Sequence, residues 1–166
     1  MELPAWARFP NPVNELAART VAGGVALLTA ATLVTGVWWL VPVLALGFAA
    51  RVLAGPRFSL LGRLATQVVA PRLGRARMVP GPPKRFAQAI GLGLTTTAAV
   101  LALGFGLTGV AAGLLGVLLV FALLESVLAF CAGCWLFALF MQLGWVREDV
   151  CQQCDNIWAR YGRSAS

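Results

Sequence analysis

The sequence predicts an all-α, polytopic membrane protein, with four transmembrane helices and one amphipathic helix on the cytosolic side. Three observations carry this. First, 60% of the residues are hydrophobic and 11% are charged, against roughly 25% charged in an ordinary soluble domain, and mean hydropathy is +0.83. Second, the apolar residues fall in runs of about 20, enough to cross a hydrocarbon core of about 30 Å. Third, the positive charges gather at the ends of those runs and hardly at all within them. A chain of 166 residues has room for a single membrane domain. The net charge of +7 would suit nucleic acid. Cations that flank apolar runs instead follow the positive-inside rule and meet lipid headgroups, so the expected partner is the bilayer and not nucleic acid.

In the N-terminal arm, Pro10 and Pro12 hold the chain extended. The arm has neither the charged nor the apolar region of a cleaved leader, so the first apolar run is expected to stay as an anchor. Asn14 is placed to cap a helix, and Glu15 and Arg19, four apart, can pair on its surface. The first span is expected over about 16–36. Its Gly23, Gly24, Ala26, Ala30 and Ala31 suit close helix packing. The second, over about 37–54, starts at Trp38 and Trp39, which suit the aromatic belt at the membrane surface.

The loop 55–85, with Arg51 at its edge, carries no acid. Arg51, Arg57, Arg63, Arg72, Arg75, Arg77, Lys84 and Arg85 supply eight of the 13 positive charges, which makes this side cytoplasmic. Within it Phe58, Leu61, Leu64 and Val68 recur at helical spacing with Arg63 and Gln67 off that face, the pattern of an interfacial amphipathic helix. The third span is expected over about 86–107. Its Thr95, Thr96 and Thr97 read as hydroxyls that bond back to their own helix. The fourth apolar run, 110–146, would be about 55 Å long as a helix, more than tilt absorbs. It is expected to cross once, over about 110–130, and then to break, with Gly133 and Gly144 as the places. The cysteine-containing tail, 131–166, then lies in the cytosol. In this arrangement all 13 cations share one side. The protein would be a multi-pass protein of the plasma (inner) membrane with both termini cytoplasmic.

The chemistry-bearing residues cluster late in the chain. Glu125 is the one acidic residue inside an expected span, and ionisable residues there face the bundle interior and mark function. It reads as a structural hydrogen bonder, as a partner for a loop arginine, or as a proton donor or acceptor for thiol chemistry. Cys131 and Cys134 share a helix face, where one thiol can attack a disulfide and the other resolve it. If a helix starts at this point, its dipole favours the thiolate. Cys151 and Cys154 repeat the spacing in a polar setting. Together they form C-x2-C-x16-C-x2-C, which is also the spacing of a tetrahedral zinc site. A shared site needs the chain to reverse between the pairs, for which Gly144 is the best-placed residue. The chain has no histidine, no phosphate-binding glycine loop and no hydrolase constellation.

The stretches FPNPVNE, GPPKRFAQAIG, ESVLAFCAGCW and EDVCQQC, in this order, resemble a family of small bacterial membrane proteins common in actinobacteria, domain of unknown function 4395. The resemblance runs from residue 9 to about 157. Relatives are often encoded beside thioredoxin-like and sulfurtransferase proteins. The resemblance therefore implies thiol redox or sulfur handling with such a partner, and it takes in both cysteine pairs.

Three functions fit these residues. The leading one is a membrane thiol–disulfide or sulfur-relay component, with Cys151 and Cys154 as the accessible pair, Cys131 and Cys134 as the embedded pair and Glu125 as proton partner. The second is a non-enzymatic protein whose four cysteines hold zinc or an iron–sulfur cluster. The third is a small transporter of a sulfur species, with Glu125 and the threonines on its path. The sequence does not decide between an enzyme and a binding protein.

Overall fold

The computed structural model describes residues 13–55, 59–74 and 77–146. It is mostly helical. Helix α1 is Glu15–Thr35, α2 is Leu40–Ala54, and α3 runs through Leu60–Leu64, a π-helical Ala65–Val69 and Ala70–Leu73. Helix α4 is Gly81–Ala99 continued by a π-helical Val100–Gly104; α5 is Thr108–Leu128 and α6 is Ala132–Gln142. Two short strands, β1 (Val13–Asn14) and β2 (Met78–Val79), pair antiparallel with Val13 opposite Val79.

Asn14 caps α1 by accepting from the Leu16 N–H at 3.0 Å, which satisfies one of the free donors of the first turn. Gly36 ends the helix in the left-handed conformation, φ 68°, its N–H on the Thr32 carbonyl. The strand pair ties the start of α1 to the start of α4. The chain must therefore return between them, and α2 makes that return. The four long elements run up, down, up and down. Helix α1 packs on α5 and α2 on α4.

The core between them is built from small and branched residues at three- and four-residue spacing: Ala17, Val21 and Val25 of α1, Val41, Leu44 and Phe48 of α2, Ala98 and Ala102 of α4, and Ala111, Leu115, Leu118 and Ala122 of α5. Alanines on facing helices permit the close approach that membrane packing relies on. Large apolar residues such as Leu27, Val34, Leu46 and Val127 point outward and are exposed, as they do where lipid is the solvent. Three helices, α1, α4 and α5, are long and apolar enough to cross a membrane. Helices α2 and α6 are apolar but shorter, at 15 and 11 residues.

Several expectations are corrected. Helix α4 begins at Gly81, ahead of the expected start of the third span, with Pro82 and Pro83 in its first turn, where proline costs no hydrogen bond. This draws Lys84 out of the loop and into the helix. On α3 the small residues Gly62, Ala65 and Ala70 face the bundle, while Leu64 and Val68 are left exposed on its other side, where an interfacial helix would meet lipid. Leu61 does turn inward, against Gly24 of α1, where an added Cβ would lie 2.7 Å from its Cδ2. Phe58 is outside the described residues. Glu15 pairs not with Arg19 but with Arg77, 3.3 Å away, and Arg19 donates to the Ser126 and Val127 carbonyls at the end of α5, at 3.0 and 3.1 Å.

The break after α5 is at Ala129, φ 57°, and not at Gly133. Gly133 lies in the first turn of α6, where a Cβ would fall 2.5 Å from that of Ala87, so glycine serves there to let the two helices close in. A turn later Phe137 and Phe140 pack on Phe86, with ring centroids at 5.6 and 5.9 Å. Helix α6 thus packs on the start of α4 through Gly133 at one end and Phe137 and Phe140 further along. Gly144, φ 74°, ends this turn, with its N–H on Met141 and that of Trp145 on Phe140.

Candidate functional site

The starts of α1 and α4, the ends of α2 and α5, and all of α6 meet at one end of the bundle. Two charges are buried there as a pair. Lys84, in the first turn of α4, donates its Nζ to Glu125 Oε1 in the last turn of α5, with the two side chains 9% and 13% exposed. Each charge removes much of the cost of burying the other. Beside them Arg51, at the end of α2, is 3% exposed. Its Nε donates to Gln88 Oε1 at 2.8 Å and its Nη1 to Ser59 Oγ at 3.0 Å. Its guanidinium lies 4.5 Å above the Phe48 ring. Its Nη2 is buried without a hydrogen-bond partner among the described residues.

Cys131 is the N-cap of α6. Its backbone is extended, φ −97° and ψ 102°, and its Sγ accepts from the Cys134 N–H at 3.4 Å. The sulfur thereby takes the place of a capping oxygen at the positive end of a helix. Cys131 is 8% exposed, and Cys134, one turn on, is half-buried. The hydrogen bond between the two thiols lowers the Cys131 pKa and raises that of Cys134, with burial opposing the first change and adding to the second. A proton leaving the pair therefore leaves from Cys131, and Cys134 keeps its own.

Between α1, α2, α4, α5 and α6 lies a cavity of about 170 Å³. Val25, Phe48, Leu118 and Phe121 give it apolar walls. Its polar lining comes from Gln88, Glu125 and Cys131. Phe48 reaches this position by packing on Gly91, where a Cβ would be 2.3 Å from the ring.

Of the residues singled out from the sequence, Cys131, Cys134 and Glu125 come together at this end. Cys151 and Cys154 lie outside the described residues, and with them the expected four-cysteine zinc or iron–sulfur site. Among the described residues no three His, Cys, Asp or Glu side chains group so as to hold a metal. Thr95 donates to the Gly91 carbonyl at 2.8 Å, while Thr96 and Thr97 are exposed. Sequence reasoning missed Lys84, Arg51 and Gln88. It offered Glu125 a loop arginine, and the partner is Lys84. The available signal was Glu125 itself, because a carboxylate in a span demands a cation, and Lys84 follows two prolines that can only start a helix.

No curated protein and no solved structure matches the chain. One family profile does, over residues 13–142, so the match takes in Cys131 and Cys134 and stops before Cys151 and Cys154. By this match, which covers most of its length, the chain belongs to the family described as domain of unknown function (DUF4395).

Proposed function

We propose that this protein is a membrane thiol component that exchanges a disulfide or a sulfane sulfur with a soluble partner through Cys131 and Cys134. The observation that carries the reading is the placement of the two sulfurs: one caps a helix and is buried, the other is half-exposed beside it. In the disulfide form, a partner thiolate attacks the accessible sulfur, that of Cys134. The Cys131–Cys134 bond breaks and Cys131 leaves with the electron pair as a thiolate, held by the Cys134 N–H. Thiols of low pKa are the better leaving groups. A second partner thiol then attacks the mixed disulfide, the partner departs oxidised, and Cys134 is released as the second thiol. Lys84 lies near enough to favour the Cys131 thiolate, and the Glu125 charge beside it opposes the thiolate; in this reading Glu125 is the proton partner. A thioredoxin-like or sulfurtransferase protein has the chemistry the partner needs. Cys151 and Cys154, outside the described residues, are by sequence a second Cys-x-x-Cys pair, expected on the cytosolic side.

The same reading has the chain cross the plasma membrane four times, α2 being the fourth crossing, with both termini and the thiols on the cytoplasmic side. The cations Arg19, Arg51, Arg77, Lys84 and Arg85 are held at this end of the bundle, which supports that orientation.

The test is thiol counting by alkylation and intact mass on the Cys151→Ser/Cys154→Ser protein in lipid nanodiscs. Both remaining thiols are expected to label after reduction and neither after exposure to a soluble disulfide. A sulfane-sulfur donor should add one sulfur atom to the reduced pair. If both thiols still label after every oxidant, the reading is wrong.

A further inference from the structure

The disulfide that a soluble partner reduces must be made again, which needs a two-electron acceptor. This inference rests on the thiol-exchange reading and asks where that acceptor sits. Cys131 has almost no solvent exposure, and its side of the pair forms part of the cavity wall. Whatever takes electrons there must fit the cavity. Its walls are chiefly apolar, which disfavours a charged soluble oxidant. Its volume of about 170 Å³ suits one substituted ring, since an apolar cavity of about 150 Å³ holds a benzene molecule. It is too small for a peptide segment.

The polar end of the cavity adds a recognition element. Arginine can only donate, so the Gln88 oxygen is fixed as the atom that accepts from Arg51 Nε at 2.8 Å. The Gln88 amide NH2 is thereby left as the donor this residue can offer the cavity it lines. Glu125, also on the wall, is a proton carrier. A donor, a proton carrier and a thiol at one end of an apolar cavity match a ring that bears a carbonyl oxygen. Phe121 lines the same cavity and is 41% exposed on the outer, apolar surface of α5, so the cavity borders the bilayer.

We propose that the cavity binds the head group of a bilayer-dissolved quinone, which oxidises Cys131 and Cys134. The two S–H bonds break, one S–S bond forms, and the two electrons pass to the ring. The two protons go to the two carbonyl oxygens and give the hydroquinone. Gln88 holds one of those oxygens through an N–H, and Glu125 passes protons from the Cys131 side.

The experiment uses the Cys151→Ser/Cys154→Ser protein in nanodiscs without oxygen. The probe is a fully substituted benzoquinone with an alkyl tail, whose ring has no free position for a thiol to add to. One hydroquinone and one Cys131–Cys134 disulfide per chain are expected. Ala122→Phe, which fills the cavity, should slow this by about tenfold or more. An azido derivative of the quinone reads the site without a cavity variant: its photolabel should concentrate on residues 118–125 and 131–136 and be displaced by unlabelled quinone. Label spread over the lipid-facing helices without displacement overturns the proposal. So does a protein that a soluble disulfide oxidises but the quinone does not, and in that case thiol exchange itself stands. No disulfide with either oxidant overturns both.

Discussion

The two ends of the bundle are built from the same helices and differ in almost every other respect. At one end the α1–α2 and α4–α5 turns are uncharged, and Val37, Trp39, Phe105 and Leu107 are left exposed. Gly36 and Gly106 turn the chain there with nothing packed on them. At the other end the bundle buries Arg51, Lys84 and Glu125, wraps a cavity and starts a further helix on a cysteine. The first end only connects helices. The second takes on buried charge, which costs stability unless it is paired, and that cost is the reason to look there for function.

The largest effect that would break this contrast is at the buried pair. Lys84→Met or Glu125→Leu alone leaves an uncompensated charge and should cost about 3–5 kcal/mol, read as lower thermal stability in detergent. The double substitution should recover much of it. A loss in the double equal to the sum of the two single losses would show that the pair is not coupled.

The next largest compares glycines. Gly133→Ala drives a methyl into Ala87 and Gly91→Ala drives one into Phe48, each at a cost of about 1–3 kcal/mol. Gly113→Ala and Gly116→Ala meet nothing within 4 Å and should be neutral or stabilise by up to about 1 kcal/mol. A stability ranking by thermal unfolding that mixes the two groups would remove the packing argument for α6.

The pH dependence of the thiols sharpens the same contrast. The Cys131 pKa lies below that of an ordinary thiol because Cys134 donates to it, so its thiolate persists to lower pH. Its alkylation midpoint in the reduced Cys151→Ser/Cys154→Ser protein should therefore lie below that of a free thiol, and adding Cys134→Ala should move it up. A midpoint that stays put would assign the shift to another group.

The smallest effects are at the rim. Arg19→Gln removes donors from the Ser126 and Val127 carbonyls and should cost about 1 kcal/mol. Arg77→Ala breaks a pair whose arginine side chain is 60% exposed and should cost under about 0.5 kcal/mol.

Hydropathy located α1, α4 and α5, because a span must satisfy its backbone internally and so appears as one apolar run. The Asn14 cap was equally legible, since it is a local hydrogen bond. The site was legible only in its outline. Glu125 announced a buried charge, but its partner, 41 residues away, depends on where α4 begins. Gly133 was misassigned because glycine serves both to break a helix and to let another backbone close in, and only the position of Ala87 decides which. Ala129 gave no signal, since nothing about alanine marks a left-handed residue. Gln88 looked like a neutral helix residue until Arg51 fixed its amide.

The account stands on Cys134 being the sulfur that is attacked and Cys131 the one that leaves. Oxidised Cys151→Ser/Cys154→Ser protein can be treated with a small soluble thiol, quenched with an alkylating agent and digested for peptide mass mapping. The mixed disulfide is predicted on Cys134, with the alkyl group on Cys131. A mixed disulfide on Cys131, or one divided evenly between the two, would contradict the account.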